Sequence, residues 1–203
     1  MFNQKAYVLY SGGKDSSLMA ILLNRMGFDV ELVTANFGVY ESFIPASKSA
    51  ESLNMKHIVF KLDKKILETS VDLILKLGFP NDGITYLHKA VIEELADLAN
   101  KNGVSIIADG TRRDDKTPKL DKNEIRSLED RKNVQYINLD SFGYKTIETI
   151  VSDLFEITKE KSNRYNSSDY EVEIRYLLDN EMNVNLSELF PEHYQTRVIG
   201  FKS

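Results

Sequence analysis

Ser11, Gly12, Gly13, Lys14, Asp15 and Ser16 follow one another directly, with Ser17 behind them. Two residues without side chains let backbone N–H groups converge on an anion. Lys14 adds a point charge, and the serines add hydroxyl donors. The apolar run KAYVLY (5–10) before them reads as a buried strand, and the segment from Ser17 to Met26 reads as a helix stopped by Gly27. A glycine turn at a strand-to-helix junction places its anion on a helix N-terminus, where the dipole favours negative charge. The stretch is built for phosphate. It is neither G-x-x-x-x-G-K-[ST] nor G-x-G-x-x-G. A carboxylate beside a phosphate nest is unfavourable without a cation, so Asp15 implies Mg²⁺ bound together with the phosphates.

The elements that must position this turn alternate. Strands are predicted at 29–37, 57–62, 104–110 and 133–139, and helices at 64–77, 84–101 and 145–158, with Pro45 opening another helix. Such alternation predicts an α/β fold: a central, mostly parallel five-stranded sheet with helices on both faces and a small C-terminal addition. Ligands of open parallel sheets sit at the carboxyl ends of the strands, where the glycine turn falls. TRRDDKTPKLDKN (111–123) reads as a polar loop. YEVEIRYLL in the tail alternates like a strand, although Val172, Tyr176 and Leu177 also suit a helix; HYQTRVIGF reads as a strand.

SGGKDS at 11–16, after a first strand and opening a first helix, resembles the pyrophosphate-binding loop of the PP-loop, or N-type, ATP pyrophosphatases, also called adenine nucleotide alpha hydrolases. The order of elements through residue 160 fits the same family. The resemblance implies a PP-loop ATP-binding domain over 1–160, with 161–203 an extension packed on it. It also implies ATP cleavage between the α and β phosphates: AMP is attached to an acceptor oxygen, the loop holds the departing pyrophosphate, and a second nucleophile displaces AMP. Ser11, Gly12, Gly13, Lys14, Ser16 and Ser17 would bind the phosphates. The adenine would lie against the backbone after the second strand, near Ala35, Asn36 and Phe37, although Phe37 reads equally well as core. ADGTRRDDK (108–116) is similar to the family's G-[HT]-x-x-[DE]-D segment. Gly110 and Thr111 would then approach the α-phosphate. Arg112 and Arg113 would clamp phosphate or the adenylated group, and Asp114 or Asp115 would join Asp15 at Mg²⁺. Lys14, Asp15, Arg112 and Arg113 are the catalytic candidates. Taken alone, this second segment reads as a solvated charged loop.

The acceptor is the open question. The segment from Phe79 to Asp115 reads most like the tRNA-thiolating branch, which makes tRNA base modification the favoured acceptor class. Many thiolases of that branch carry cysteines around this loop, often as C-x-x-C, whereas this chain has no cysteine. Sulfur chemistry would therefore need a sulfur-donating partner protein, and an ammonia donor is the counterpart if the nucleophile is an amine. The alternatives are adenylation of a small-molecule carbonyl or carboxylate for amination, and a subunit that only holds ATP. Among the three histidines, His57 reads as structural, His88 as packed or capping, and His193 as a candidate for the acceptor pocket. A net charge of −5 excludes nucleic-acid binding through the whole surface. It leaves local basic clusters at Arg112, Arg113, Lys116, Lys119, Lys122 and Arg126 and at Lys159, Lys161 and Arg164. The tail could instead recognise the acceptor or join a second copy in a homodimer. No run of apolar residues is long enough to span a membrane and no leader is evident, so the expectation is a cytoplasmic protein.

Overall fold

The computed structural model describes residues 4–116, 118–161, 163, 167–180, 182, 189–190 and 194–202. Five strands form the central sheet: β1 (Lys5–Leu9), β2 (Asp29–Asn36), β3 (Lys56–Lys61), β4 (Ile106–Arg112) and β5 (Gln135–Leu139). Their order is β3-β2-β1-β4-β5 and every pairing is parallel. The chain moves outward from β1 to β3, then returns to start again at β4. The crevice at the carboxyl ends of β1 and β4 is therefore the topological switch point of the sheet.

Both faces are covered. Ala6 and Val8 pack with Leu18 and Leu23 of α1 (Lys14–Arg25), with α2 (Ile44–Ser52), and with Ile147 and Val151 of α6 (Tyr144–Leu154). Tyr7, between them, points to the other face and meets Ile92 and Leu95 of α4 (Asn81–Lys101) and Leu128 of α5 (Lys122–Lys132). This alternation is what a strand buried on both sides requires. A third apolar cluster joins α3 (Lys64–Leu77), α4 and α7 (Tyr170–Asn180) through Leu67, Val71, Leu87, Ile174 and Leu177.

Two stretches differ from the sequence reading, and a third is decided between its two readings. Helix α5 forms where no helix is predicted, because only Leu128 of its residues is buried and no apolar stripe marks it. Its start is fixed by a capping box: Asp121 accepts from the Glu124 amide at 2.9 Å and Glu124 accepts from the Asp121 amide at 2.9 Å. The helix expected over 145–158 stops at Leu154, and β6 (Phe155–Lys161) begins at once. β6 pairs antiparallel with β7 (Tyr194–Phe201), so a two-stranded ribbon joins the two sides of the expected boundary near residue 160. YEVEIRYLL is helix α7, with Val172, Ile174, Leu177 and Leu178 buried.

Helix α7 is fastened to the sheet by a buried acid. Both carboxylate oxygens of Glu173 accept from the Phe37 amide at 3.1 Å, and Oε1 also accepts from the Val39 amide at 3.4 Å. Burial pushes its carboxyl up to about 7, although the amides pull the other way. The folded chain thus holds this proton at pH values where the unfolded chain has released it. The associated stability is complete below about pH 4.5 and is lost as pH rises through about 7. Chemical denaturation across about pH 5 to 8 should show Glu173→Gln flattening this decline, by up to about 3 kcal/mol. An identical pH profile for both proteins would show that Glu173 does not titrate with folding.

Candidate functional site

The glycine turn sits on the N-terminus of α1 at the switch point. Gly13 is the N-cap and makes no side-chain cap bond, which leaves the first-turn amides of α1 to a ligand. Ser11 and Ser16 brace the turn: the Ser11 amide donates to Ser16 Oγ at 3.4 Å, and the two hydroxyls lie 3.3 Å apart. Gly12 has φ +76°, and a Cβ there would come within 3.0 Å of the Ala46 Cα in α2. Ser17 is buried beneath the turn, its hydroxyl 3.1 Å from Tyr10 OH.

Lys14 is only 7% exposed. Its Nζ lies 2.6 Å from Asp15 Oδ1, 3.2 Å from Glu148 Oε1, and over the Tyr144 ring at 5.3 Å. From β4, the Arg112 guanidinium also lies over the Tyr144 ring, at 5.5 Å, and sits 3.7 Å from Asp15 Oδ2. It donates to Asp115 Oδ1 from Nε at 3.0 Å and from its terminal nitrogen at 2.5 Å. Asp115, with Asp15, raises the Arg112 pKa. The two sequence signatures thus meet at Asp15, Arg112 and Asp115. Gly110 makes that meeting possible. A Cβ on it would lie 2.5 Å from the Ser16 amide nitrogen and 2.8 Å from the Asp15 carbonyl carbon, both backbone atoms.

Two cavities open on this junction. The first, about 340 Å³, lies over the ends of β1, β2 and β4 and is lined by Tyr10, Thr34, Ala35, His88, Thr111 and Tyr170 among others. The second, about 380 Å³, lies on the other side of the turn, against Gly13, Lys14, Tyr144, Lys159, Gln195 and Thr196. Ser11, Asp15, Ser16, Arg112 and Asp169 line both. Of the expected site residues, Arg113 and Asp114 line neither cavity. The Arg113 amide donates to Phe142 O at 3.1 Å, and Asp114 Oδ2 accepts from the Tyr144 amide at 2.9 Å, capping α6. Asn36 and Phe37 also lie outside both linings: Asn36 Nδ2 donates to Tyr40 O at 2.8 Å, and the Phe37 amide is taken by Glu173. Among the described residues no group of three His, Cys, Asp or Glu side chains is set to hold a metal. Two carboxylates, Asp15 and Asp115, do converge on Arg112. Mg²⁺ that arrives with phosphates needs only one or two protein carboxylates, so this pair and the open amides fit a magnesium–triphosphate ligand.

The floor of the first cavity holds a buried network centred on Asp109. Its Oδ1 accepts from the Thr111 amide at 2.8 Å and the Thr111 hydroxyl at 2.7 Å; its Oδ2 accepts from Tyr136 OH at 2.7 Å. His88 Nε2 lies 3.2 Å from Asp109 Oδ2, off the angle of a hydrogen bond, and Nδ1 lies 2.5 Å from Tyr170 OH. Burial would raise the Asp109 carboxyl, but His88 and the Thr111 donors outweigh it and hold it below its usual value. Burial raises the Tyr170 hydroxyl far above its ordinary value, so Tyr170 keeps its proton beside His88. His88 is therefore packed, as expected, but within a polar network that fixes Thr111. His57 bonds Thr34 and Ser47. His193 and Arg164 lie outside the described residues. Sequence reasoning missed Asp109, Tyr144, Glu148 and Tyr170. Only Asp109 carried a signal, as the residue before the Gly110 of the second signature.

The fold is a parallel α/β fold similar to that of a PP-loop thiolase. U34-tRNA thiolase NcsA from Methanococcus maripaludis, a structure with its 4Fe–4S cluster, superposes with a TM-score of 0.55 at 22% identity, over 92% of this chain and 69% of that one. Residues 4–200 match DUF7411, a family of unknown function, and the chain belongs to that family. Uncharacterized protein MJ0690 of Methanocaldococcus jannaschii is 49% identical over 197 residues, 97% of this chain and 96% of that protein. A crystal structure described as a predicted subunit of tRNA methyltransferase from Methanocaldococcus jannaschii superposes with a TM-score of 0.90 at 47% identity, covering 98% of both chains. Argininosuccinate synthase of Rhizobium meliloti is 29% identical over 114 residues, 53% of this chain but only 28% of that enzyme's length. No described helix is long and apolar enough to cross a membrane.

Because the atoms facing Gly110 are backbone, they cannot rotate away from a methyl group. Gly110→Ala should cost about 1–3 kcal/mol of stability in urea denaturation, as overpacking does. Wild-type stability in the variant would mean that β4 and α1 do not touch there.

Proposed function

We propose that this chain cleaves ATP between its α and β phosphates and transfers AMP to an acceptor oxygen, with a tRNA nucleobase as the acceptor. The observation that carries the reading is the Gly110 contact, which seats the SGGKDS turn and Arg112 at one junction between two cavities. The first cavity takes the adenosine and α-phosphate. Thr111, whose amide and hydroxyl both donate to Asp109, forms the wall beside that phosphate, and Arg112 offers its guanidinium. Lys14 and the first-turn amides of α1 stabilise charge that develops on the leaving pyrophosphate. Asp15, with Asp115, would hold Mg²⁺, which supplies further neutralisation of the phosphates when bound. The acceptor oxygen bonds to the α-phosphorus, the bond from that phosphorus to the bridging oxygen breaks, and its electron pair leaves with pyrophosphate. A carbonyl or carboxylate oxygen carries no proton to remove, so this step asks for no general base.

The tRNA acceptor draws on the descriptions of the two structural relatives, one named as a tRNA thiolase and one as a predicted subunit of a tRNA methyltransferase. The absence of cysteine means that a sulfur nucleophile would come from a partner protein. The match to argininosuccinate synthase favours a second reading, adenylation of a small-molecule carboxylate for amination.

Pyrophosphate release from ATP and Mg²⁺ should rise when bulk tRNA is added and should fall with salt. A rise with an RNA-free metabolite extract instead would select the small-molecule acceptor. ATP binding without release under any condition would reduce the protein to an ATP-holding subunit. Lys14→Ala should lower turnover by about 100-fold, as loss of one charge-stabilising donor does, and Asp15→Asn should lower Mg²⁺-dependent turnover while leaving the melting temperature near wild type. Unchanged turnover in either variant would remove that residue from the chemistry.

A further inference from the structure

The second cavity has a wall that the signatures do not supply. Its far side is the β6–β7 ribbon, which contributes Lys159 from β6 and Tyr194, Gln195 and Thr196 from β7. The ribbon is fixed to the glycine turn, because the Val198 amide donates to Gly12 O at 3.0 Å. Thr196 O lies 3.5 Å from where a Gly13 Cβ would be. The wall therefore cannot drift away from the turn without breaking a backbone bond to it.

Charge distinguishes Lys159 from the other two cations of this cavity. Lys14 is matched by Asp15 and Glu148, and Arg112 by Asp115 and Asp15. Lys159 lies over the Tyr194 ring at 5.8 Å, and among the described residues no carboxylate pairs with it. Asp169, which accepts from Gln195 at 2.6 Å, also lines the cavity; Lys159 nonetheless faces the open N-terminus of α1 with no described carboxylate on it, a setting that favours an incoming anion. The cavity lies beyond the turn from the one that takes the α-phosphate, so the outer part of a triphosphate chain would extend into it.

We propose that Lys159, from outside both signatures, is a further cation for the β- and γ-phosphates held at the glycine turn and, after cleavage, for inorganic pyrophosphate, reaching them from the ribbon across this cavity. This rests on the reading of the chain as an ATP pyrophosphatase. It gives the C-terminal segment a role in the ATP half of the reaction. Tyr194 acts through Lys159, holding the ammonium over its ring face.

Calorimetric titration with two probes tests this: inorganic pyrophosphate with Mg²⁺ reads the second cavity, and AMP reads the first. Lys159→Ala should weaken pyrophosphate about tenfold, the loss expected for one charge-assisted contact. AMP binding should stay unchanged, and Lys159→Arg should restore most of the pyrophosphate affinity. Wild-type pyrophosphate affinity in Lys159→Ala would overturn the proposal while leaving the ATP reading in place. Equal weakening of both probes would also overturn it, since Lys159 would then act on the fold. Wild-type protein that binds neither probe nor ATP would overturn the ATP reading and this proposal with it.

Discussion

The contact between Gly110 and the backbone of Asp15 and Ser16 is the constraint on which the site depends. It lets the end of β4 lie directly against the first turn of α1, with no side chain between. Arg112, two residues further along the same strand, then reaches Asp15, and the Arg112–Asp115 turn closes beside it. Any residue larger than glycine would wedge the strand from the helix and part the serines of the glycine turn from the arginine. The sheet order matters for the same reason: β4 is the strand beside β1 only because the chain reverses its outward progress there.

The C-terminal segment is fastened to the core at several points. Glu173 holds the amide after β2, Ser168 Oγ accepts from the Ala46 amide at 2.8 Å, and Tyr170 closes the His88 network. Each of these is a polar bond in a buried setting, where leaving a group unpaired costs more than the bond contributes. The segment therefore has few alternative positions. It shapes both cavities, supplying Ser168, Tyr170 and Glu171 to one and Tyr194, Gln195 and Thr196 to the other.

The central strands and the glycine turn were legible in the sequence for physical reasons. Strands buried on both faces are short apolar runs, and an anion nest at a helix start needs glycines in fixed order. Helix α5 was hidden because its outer position needs only one buried side chain; its Asp121–Glu124 capping box was the readable sign. Helix α7 could be read either way in the sequence because Glu173 is a buried acid inside an apolar stripe, which imitates alternation. Within the second signature, Arg112 and Asp115 turn to the site while Arg113 and Asp114 turn to α6. A run of four charged residues gives no hint of that division. Tyr144, Glu148 and Lys159 reach the site from distant parts of the chain, and no spacing rule marks such residues.

The bond from Val198 to Gly12 spans nearly the whole chain. Closing a loop of that length carries a large entropic cost, and it is repaid only after the intervening elements are in order. The glycine turn, made first on the ribosome, therefore gains its last brace at the end of folding. A nascent or partly folded chain has the glycine-turn sequence but an unsupported loop, so the bracing of that turn reports completion of the fold.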